Sequence, residues 1–529
     1  MVFSMRYRIE QVRLNITDSK KSLKKAVLKR LGKGSLNIYD IKIVRESIDA
    51  RKKGDIKLVY TIDFTCDEKL PLKNPPEVKY NLGEILPELP EDFRISSPVV
   101  VGFGPAGMFA ALILAQAGLN PVVIERGEAI EERAETVDKF WKTGKLNVES
   151  NVQFGEGGAG TFSDGKLTTG IKDIRISKVL EELVEAGADE SILYKQKPHI
   201  GTDKLREVVV NIRKKIESLG GKIYFCRKLT DIKTVYKNGD VSIAEIQIEK
   251  TKADKNEKSE QGIRAGGCIK TDALVLATGH SARDTFKMLY EKGLPMEQKP
   301  FSIGVRIQHP QRMIDESQYG TAAAAEILGP AEYKLSYKCE NGRGVYTFCM
   351  CPGGEIIDSS SEPMTAVTNG MSYSDRGGRF ANSGLLVDVR PGDFSSDCPL
   401  AGIEFQRKYE KKAYEMGKGN IPETTYGLFR TNDKDPVRES LPEFAAKSII
   451  EAMPHMGRRL RGFDNENAVF KGVETRSSSP VRIIRDETGQ TEIRGIFPAG
   501  EGPGYAGGIV SAAVDGIKAA ENIIKVIFS

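Results

Sequence analysis

Three glycines and one acidic residue are the positions of this sequence best suited to binding chemistry. Gly102, Gly104 and Gly107 form a G-x-G-x-x-G pattern, and Glu125 follows the next apolar run. In such a pattern the first glycine allows a tight turn, the second lets the backbone approach a pyrophosphate, and the third lets a helix pack closely on a strand. A carboxylate at the position of Glu125 accepts hydrogen bonds from ribose hydroxyls and disfavours a 2′-phosphate. The pattern therefore predicts a dinucleotide site.

The elements that must position these residues form a complete strand-helix-strand unit. Residues 99–101 are typical of a buried parallel strand, residues 108–117 of an apolar helix, and residues 122–124 of a second strand. A phosphate would lie at the helix N-terminus, where unpaired N–H groups and the helix dipole favour an anion. The predicted site also includes the neighbouring Pro105, Ala106 and Arg126.

A second glycine cluster, residues 154–167, is predicted to contact the same ligand. Its glycines, Gly158 among them, let backbone amides approach a flat or anionic group, and Ser163 and Lys166 offer polar groups to a phosphate. The alternative is a flexible surface loop. Phe154 and Phe162 argue against that alternative, because aromatic side chains are rare in solvated linkers.

Two later stretches complete the predicted cofactor site, and no metal site is predicted. Ala277, Thr278 and Gly279 follow an apolar strand, as at the carboxyl edge of a doubly wound sheet where ligands bind. A short apolar run near the C-terminus precedes a second turn, and a helix of small residues that can pack on a cofactor follows it. This last segment contributes Gly500, Glu501, Gly507, Gly508 and Ile509.

The candidates for catalysis are His280 and Arg306. His280 comes directly after the 277–279 turn, which favours a contact with cofactor phosphates or adenine over a role as acid or base. The alternating run 301–308 places Ser302, Arg306 and Gln308 on one face of a strand. That face either lines a substrate cavity, where Arg306 would hold an anionic group, or faces water.

Two further stretches combine reactive or charged side chains. Cys349 and Cys351 alternate on a predicted strand, but a disulfide across one intervening residue would be strained. Buried structural thiols are therefore favoured over redox-active cysteines. Residues 476–482 place hydroxyl groups between two arginines, which fits carboxylate or phosphate binding as well as an ordinary hydroxyl-rich turn.

Composition restricts the kind of protein and its partners. The chain has 529 residues, and 78 Lys and Arg against 73 Asp and Glu leave a formal net charge of +5. This balance implies neither a nucleic-acid partner nor a membrane surface. Arg6 and Arg8 precede any apolar segment, so no signal peptide is expected, and no apolar stretch reaches about 18 residues. Seven cysteines without a disulfide-framework spacing favour a cytoplasmic protein with reduced thiols.

Changes of pattern divide the chain into three predicted units. Residues 1–95 form a small α+β domain that ends in a proline-rich connector around residues 86–90. Residues 96–300 and 490–529 form a doubly wound, Rossmann-like α/β domain, with a polar hairpin insertion at 250–267. Residues 301–489 form an inserted α+β domain, largely antiparallel, for the substrate.

The order of these motifs resembles FAD-dependent oxidoreductases of the glutathione reductase-like class, and in particular a bacterial family described as FAD-dependent dehydrogenases. The resemblance covers the whole chain and is carried by residues 47–53, 158–167, 346–354, 369–372 and 476–482. It implies non-covalent FAD whose ADP half lies on the first glycine motif and Glu125. Glu501 would bind a ribityl hydroxyl, although such flavoproteins usually have Asp there, and the amides of residues 507–509 would face the flavin N1/O2 edge. Residues 278–283 are also similar to flavin hydroxylases, but their Asp-Gly pair is missing.

These observations predict an FAD-dependent oxidoreductase, a dehydrogenase or reductase that transfers hydride through flavin N5 to or from a small-molecule substrate. A transient contact with NAD(P)H is compatible with the sequence. One alternative is a flavin monooxygenase. A second is a non-enzymatic, FAD-containing redox sensor or interaction protein that acts through residues 1–95. Neither the substrate nor the oligomeric state follows from the sequence.

Overall fold

The computed structural model describes residues 5–76, 80–84, 97–237, 239–251 and 267–528. The predicted connector at residues 86–90 lies outside these ranges, as does most of the predicted insertion at residues 250–267. The strands, in chain order, are β1 (Met5–Asn15), β2 (Ile38–Asp49), β3 (Lys57–Cys66), β4 (Val99–Val101), β5 (Val122–Ile124), β6 (Lys222–Tyr224), β7 (Arg227–Lys237), β8 (Asp240–Lys250), β9 (Gly267–Lys270), β10 (Leu274–Leu276), β11 (Met296–Gln298), β12 (Phe301–Pro310), β13 (Ser336–Lys338), β14 (Gly344–Cys351), β15 (Glu355–Asp358), β16 (Thr368–Met371), β17 (Phe380–Val389), β18 (Glu423–Thr425), β19 (Val469–Glu474), β20 (Val481–Ile483) and β21 (Ile496–Pro498). The helices are α1 (Leu23–Leu31), α2 (Pro105–Gln116), α3 (Ile130–Thr143), α4 (Arg175–Glu185), α5 (Thr202–Ser218), α6 (Arg283–Glu291), α7 (Gln311–Tyr319), α8 (Ala323–Leu328), α9 (Ala401–Met416), α10 (Tyr426–Thr431), α11 (Pro436–Glu439), α12 (Glu443–Arg459) and α13 (Ile509–Phe528).

A parallel five-stranded sheet carries the first glycine motif. Its strand order is β21-β10-β4-β5-β6, so β4 lies in the centre between β10 and β5. All three valines of β4 are buried, as expected of a parallel strand covered on both faces. The chain leaves β4 towards β5 and returns on its other side as β10, and such a change of direction opens a crevice at the carboxyl ends of the strands.

The two faces of this sheet are covered differently. Helices α2, α4, α5 and α13 pack on one face. A Cβ atom on Gly516 of α13 would lie 2.0 Å from the Ala106 carbonyl oxygen, so the small residues of α13 let it lie directly on α2. The other face packs against the antiparallel sheet β7-β8-β9 and α6. This second cover differs from the doubly wound arrangement that the sequence predicts, in which helices cover both faces.

A second, six-stranded sheet is antiparallel throughout and has the order β13-β14-β17-β12-β19-β18. The apolar residues of its central strand β12, Ile303, Val305 and Ile307, belong to the same core as α12. The other face of β12 lies under the two-stranded ribbon of β15 and β16. Both faces of β12 are therefore buried, and the alternative of a strand facing water is wrong.

The N-terminal unit is a three-stranded antiparallel sheet, β1-β3-β2, with α1 packed on one face. Its core includes Tyr60, Ile62 and Phe64 of β3 and Val27 of α1, at the alternating and helical spacings that the sequence shows. The backbone of Glu46 in β2 exchanges two hydrogen bonds with the segment that follows α4: its N–H donates to the Tyr194 carbonyl over 2.8 Å, and its carbonyl accepts from the Gln196 N–H over 2.9 Å. This unit is thus joined to the rest of the chain by strand-like pairing.

Two structural findings bear on the surroundings of the protein. All seven cysteines lie within the described residues and are free thiols. Over those same residues, every helix falls short of the length or the apolar character that crossing a bilayer demands.

Candidate functional site

A cavity of about 790 Å³ extends from the carboxyl ends of β4 and β10 to the antiparallel sheet. This volume lies in the upper part of the usual range for small-molecule and cofactor sites. We call the part lined by residues 101–102, 104–106, 124–126, 153–155, 158–160 and 277–282 the glycine end. We call the part lined by Lys166, Tyr346, Phe348, Cys349, Cys351, residues 368–370 and Glu474 the sheet end.

The first glycine motif shapes the glycine end through its backbone. Gly102 has φ +98°, and a Cβ atom there would lie 2.3 Å from the Ala277 carbonyl oxygen. A Cβ on Gly107 would lie 1.9 Å from the Gly102 carbonyl oxygen, so this glycine permits the close packing of α2. Gly104 is the N-cap of α2 and supplies no side-chain cap, which leaves the first N–H groups of the helix for a ligand.

Glu125 ties the two glycine clusters together. Its carboxylate accepts hydrogen bonds from the N–H groups of Phe103 over 2.8 Å, Gly127 over 2.9 Å and Gly155 over 2.9 Å. The sequence pattern predicts only a ribose contact for this residue. An ionised carboxylate has about four acceptor positions, so the three N–H groups leave room for one further donor. Glu125 also lines the cavity, where a ribose hydroxyl could be that donor.

The second glycine cluster is held in place by Arg133 of α3. The sequence around this residue is rich in charged side chains and predicts no role for it. The side chain of Arg133 is fully buried and donates to the carbonyl oxygens of Asn151 over 2.9 Å, Glu156 over 2.5 Å, Val152 over 3.0 Å and Gly158 over 3.0 Å. Burial lowers the pKa of this guanidinium to about 10. One arginine thus organises a loop that has little secondary structure of its own.

The charge of Lys166, predicted for a phosphate, is already compensated. Its ammonium group lies 2.5 Å from a carboxylate oxygen of Asp164 and also donates to the Met350 carbonyl oxygen. Asp164 in turn accepts two hydrogen bonds from Arg376, over 2.9 Å and 2.6 Å. Lys166 lines the cavity, but it links the second glycine cluster to β14 and does not present a free cation.

At the far rim of the cavity, the backbone of three glycines faces open space. Gly279, Gly507 and Gly508 all line the cavity, and no atom lies within 4 Å of the position a Cβ would take on any of them. Glu501 lines the cavity beside them, and burial raises the pKa of its carboxyl to about 7, although Lys299 acts in the opposite direction. Open glycine backbone, an uncapped helix and a carboxylate with a spare acceptor position are the features that an FAD molecule requires, so these residues fit that cofactor.

His280 and Arg476 both line the cavity and lie near each other. The Nδ1 atom of His280 lies 3.0 Å from the Ser281 hydroxyl, and burial, with Arg476 and Arg283 nearby, lowers the pKa of His280 to about 3. His280 is therefore neutral at physiological pH. Arg476 donates to the buried carboxylate of Glu410 over 2.9 Å and 3.1 Å. Because this guanidinium is committed to Glu410, the 476–482 turn offers no free Arg476 to an anion.

At the sheet end the structure corrects the interpretation of Arg306. The guanidinium is fully buried behind the cavity wall and donates to Glu474 over 2.9 Å, to the Cys349 carbonyl over 2.8 Å and to the Asn369 amide oxygen over 3.4 Å. A substrate anion therefore cannot reach it without displacing Glu474. The ribbon of β15 and β16 covers this face, which the alternation of β12 alone could not reveal.

The two cysteines of β14 differ from each other. Cys351 is buried, as the favoured interpretation requires, but Cys349 is exposed, so a buried structural role is wrong for this residue. A β-bulge between Phe348 and Cys351 and a left-handed backbone at Cys349, with φ 44°, break the simple alternation. Both residues line the cavity.

The structure brings most of the predicted site residues to one cavity. Those that line it are Gly102, Gly104, Pro105, Ala106, Glu125, Arg126, Gly158, Ser163, Lys166, Ala277, Thr278, Gly279, His280, Glu501, Gly507, Gly508 and Ile509. Gly107, Gly500 and Arg306 lie behind the wall. Gly500 has φ +89° and packs against Ala106, where a Cβ would come within 2.6 Å of another Cβ. Sequence reasoning missed Glu474, Thr368 and Asn369, because nothing local marks them as neighbours.

The fold and the cavity define a mixed α/β protein in which a parallel sheet with a glycine-rich turn and an antiparallel sheet share one binding site. Residues 300–435 match the family model described as "FAD-dependent protein, C-terminal domain-like". Residues 6–65 match a "Domain of unknown function". The first match supports the predicted cofactor, FAD.

A protein of Clostridium beijerinckii, named only "Uncharacterized protein", is 44% identical to this chain over 553 residues. The match covers 98% of this chain and 99% of that protein, so the chain belongs to the same family. Among solved structures, a geranylgeranyl bacteriochlorophyll reductase-like protein from Thermoplasma acidophilum is 13% identical, with a TM-score of 0.36 over 82% of this chain and 78% of that chain. The glycerol-3-phosphate dehydrogenase from Bacillus halodurans, complexed with FAD, is 13% identical, with a TM-score of 0.36 over 84% and 66%. At such low TM-scores neither likeness carries an argument about the function of this chain.

Proposed function

We propose that this protein is an FAD-dependent oxidoreductase that moves a hydride between flavin N5 and a small organic substrate. The observation that carries the proposal is the continuity of the cavity, which joins the glycine end to the sheet end without a dividing wall. A flavin enzyme needs both parts, since one must hold the nucleotide and the other must present the substrate to the reacting ring. The proposal includes the glutathione reductase-like arrangement that the sequence resemblance implies.

The residues of the glycine end would hold the cofactor by backbone electrostatics. The uncapped N-terminus of α2 would face the diphosphate, and Glu125 would accept from the adenosine ribose. The backbone of Gly507 and Gly508 leads into the N-terminus of α13, which would stabilise negative charge on the pyrimidine edge of the ring. When bound, FAD supplies the hydride acceptor and donor, while the protein supplies position, electrostatics and exclusion of water.

The proposed reaction takes place in the cytoplasm, with NADH or NADPH as a transient electron donor. Free thiols at all seven cysteines support a reducing compartment. The residues described in the structure form one parallel sheet with a glycine-rich turn, so a nicotinamide cofactor would have to visit the same cavity.

The test is an absorption spectrum of the purified protein after incubation with FAD, followed by anaerobic titration with NADH and with NADPH. We expect a bound flavin spectrum that one of the two nicotinamides bleaches. If FAD binds but neither NADH nor NADPH bleaches its spectrum, the protein would instead be a dehydrogenase that takes electrons from another donor. Absence of flavin binding after reconstitution would refute the proposed function.

A matched pair of variants locates the flavin. Gly507→Val places a side chain in open space at the cavity wall, and Gly54→Val places one in open space at the turn between β2 and β3. Neither position has a positive φ and neither has a neighbour within 4 Å, so both variants should fold. We expect the FAD dissociation constant to rise at least tenfold, about 1.4 kcal/mol, for Gly507→Val only. Equal affinities would show that FAD binds elsewhere.

A further inference from the structure

Glu474, at the end of β19, is a buried carboxylate with one oxygen open to the cavity. Its side chain is only 5% exposed, and its Oε2 atom accepts from Nε of Arg306 over 2.9 Å. The Oε1 atom accepts no hydrogen bond from any residue that the structure describes, and Glu474 lines the sheet end. An acceptor that opens on a cavity and has no protein partner is available to a ligand or to a proton.

Two glycines make room for the Arg306–Glu474 pair. A Cβ on Gly384 of β17 would lie 3.0 Å from both carboxylate oxygens of Glu474. A Cβ on Gly370 of β16 would lie 2.4 Å from the Nη1 atom of Arg306. Glycine in the interior of a strand weakens a sheet and often marks a close approach. Two separate strands, β16 and β17, thus each have a glycine that weakens the sheet but makes space for this one ion pair.

The surroundings of Glu474 favour a proton near neutral pH. Burial raises the pKa of Glu474 to about 7, and Arg306 opposes that rise without cancelling it. The other titratable groups that face Glu474 are Cys349 and Tyr346, both on β14, and burial raises the pKa of Tyr346. A carboxyl group that titrates near the working pH is suited to give and to take a proton.

The cations at the sheet end are all neutralised. Arg306 is paired with Glu474, Lys166 with Asp164, and Arg376 with both Asp164 and Glu332. A substrate at this end therefore meets no spare positive charge. It meets instead the open Oε1 of Glu474. Thr368 lines the same end, and its buried hydroxyl has no hydrogen-bond partner within the described residues. This set of groups favours a neutral substrate that carries a hydroxyl or an amine.

We propose that Glu474 is the acid–base residue of the sheet end and that it acts on a neutral alcohol or amine. The carboxylate takes the proton of the substrate O–H or N–H, while the adjacent carbon loses its hydrogen as a hydride to FAD. The substrate is thereby oxidised by two electrons to a carbonyl or an imine, and FAD is reduced by the same two electrons. In reverse, the carboxylic acid returns its proton to oxygen or nitrogen. Arg306 is a positioning residue that fixes the carboxylate. This inference rests on the proposed function.

The test uses a small diazo amide, which esterifies carboxyl groups in their protonated form, with mass spectrometry to identify the modified residues. Three carboxyls whose pKa burial raises to about 7 allow an internal comparison: Glu474 at the sheet end, Glu501 at the rim of the cavity, and Glu156, which is fully buried and does not line the cavity. In FAD-loaded protein at pH 6 we expect ester on Glu474, protection of Glu501 and no ester on Glu156. Because about ten times less of such a carboxyl is protonated at pH 8, labelling of Glu474 should fall roughly tenfold.

The outcomes separate the two proposals. If FAD leaves Glu501 fully reactive, the flavin is not in this cavity and the proposed function fails, whatever happens at Glu474. If Glu501 is protected but Glu474 is unlabelled, labelled independently of pH, or protected together with Glu501, Glu474 is not a proton-exchanging group that a substrate can reach. As a second readout, the infrared C=O band of a protonated carboxyl should titrate near pH 7 in the wild type and be reduced in Glu474→Gln. An unchanged band would overturn the assignment.

Discussion

The two ends of the cavity are built in different ways. At the glycine end, backbone atoms do most of the contacting, and each contributing residue is close in sequence to a glycine turn. At the sheet end, side chains of β16 and β19 and a backbone carbonyl of β14 meet around one guanidinium of β12. Glycines have opposite purposes in the two places: Gly102 and Gly107 bring backbones together, whereas Gly370 and Gly384 make room for side chains.

Because the two ends are built differently, they differ in how specifically they can recognise a ligand. A site made of backbone and helix dipole recognises a phosphate or a ribose, which many nucleotides share. A site made of buried, mutually paired side chains recognises one arrangement of donors and acceptors, because any mismatch leaves a buried group unsatisfied. The glycine end therefore indicates a cofactor class, and under the proposed function the sheet end would select the substrate.

Among the variants that test this comparison of the two ends, Gly107→Ala is expected to have the largest effect on stability. The new Cβ would lie 1.9 Å from the Gly102 carbonyl oxygen, and a backbone atom in the central strand–turn unit cannot move aside cheaply. We expect a loss of about 4–5 kcal/mol of unfolding free energy, or failure to fold. Urea denaturation followed by circular dichroism measures this change.

Gly104→Ala is the control in the same motif. Gly104 has φ −80°, which alanine adopts readily, and its Cβ would lie 3.7 Å from the nearest atom, the Gly158 Cα. Stability should therefore change by less than about 1 kcal/mol. FAD binding should weaken, because the methyl group stands at the uncapped N-terminus of α2. Equal stability losses in the two variants would contradict the separation of packing and binding roles.

The sequence was sufficient to predict the glycine end. The strand–turn–helix pattern and Glu125 depend on local spacing, as does the 507–509 segment at the far rim, and the structure places all of them around one cavity. Even here the role of Arg133 was not predicted, because this residue belongs to a segment that is charged along most of its length. Its burial follows from four carbonyl groups of a distant loop, which no spacing rule anticipates.

The sheet end could not be predicted, because its geometry depends on which remote strands pair with and cover one another. The alternation of β12 correctly separates Ile303 and Val305 from Arg306. What covers the polar face is decided by β16, which lies far along the chain. In the same way, the pattern of β7 does not show that this strand and β8 cover the parallel sheet. Contacts between remote segments determine both outcomes.

A second prediction concerns the charge network that joins the two ends. Glu410 of α9 is fully buried and accepts from Arg283 of α6 over 2.7 Å and 2.9 Å and from Arg476 over 2.9 Å and 3.1 Å. Glu410→Gln leaves the buried guanidinium of Arg476 without its anion and leaves that of Arg283 with Glu362 alone. We expect a loss of about 3–5 kcal/mol at neutral pH, measured by urea denaturation.

The pH dependence of this loss has a definite sign. Arg283 and Arg476 hold the pKa of Glu410 well below its usual range against the effect of burial. The carboxylate therefore contributes stability above pH 4.5, and that contribution disappears as the pH falls towards the folded-state pKa. The difference between wild type and Glu410→Gln should shrink on acidification. Glu443→Gln, which breaks an exposed pair with Lys447 on α12, should cause no measurable change at any pH.

The smallest expected effect separates the two thiols of β14. Cys351 is buried and its Sγ donates to the Cys349 carbonyl oxygen over 3.3 Å, so Cys351→Ala should cost about 1 kcal/mol of packing and hydrogen bonding. Cys349→Ala should change stability by less than about 0.5 kcal/mol, because the exposed thiol has little packing to lose and alanine bears the same left-handed backbone. Burial raises the pKa of the Cys351 thiol, so its alkylation by iodoacetamide should be slow at pH 7 and should accelerate at higher pH. Peptide mapping should find Cys349 modified first. Preferential modification of Cys351 would mean that the bulge does not direct Cys349 into the cavity, and that the sheet end keeps the plain alternation that the sequence suggests.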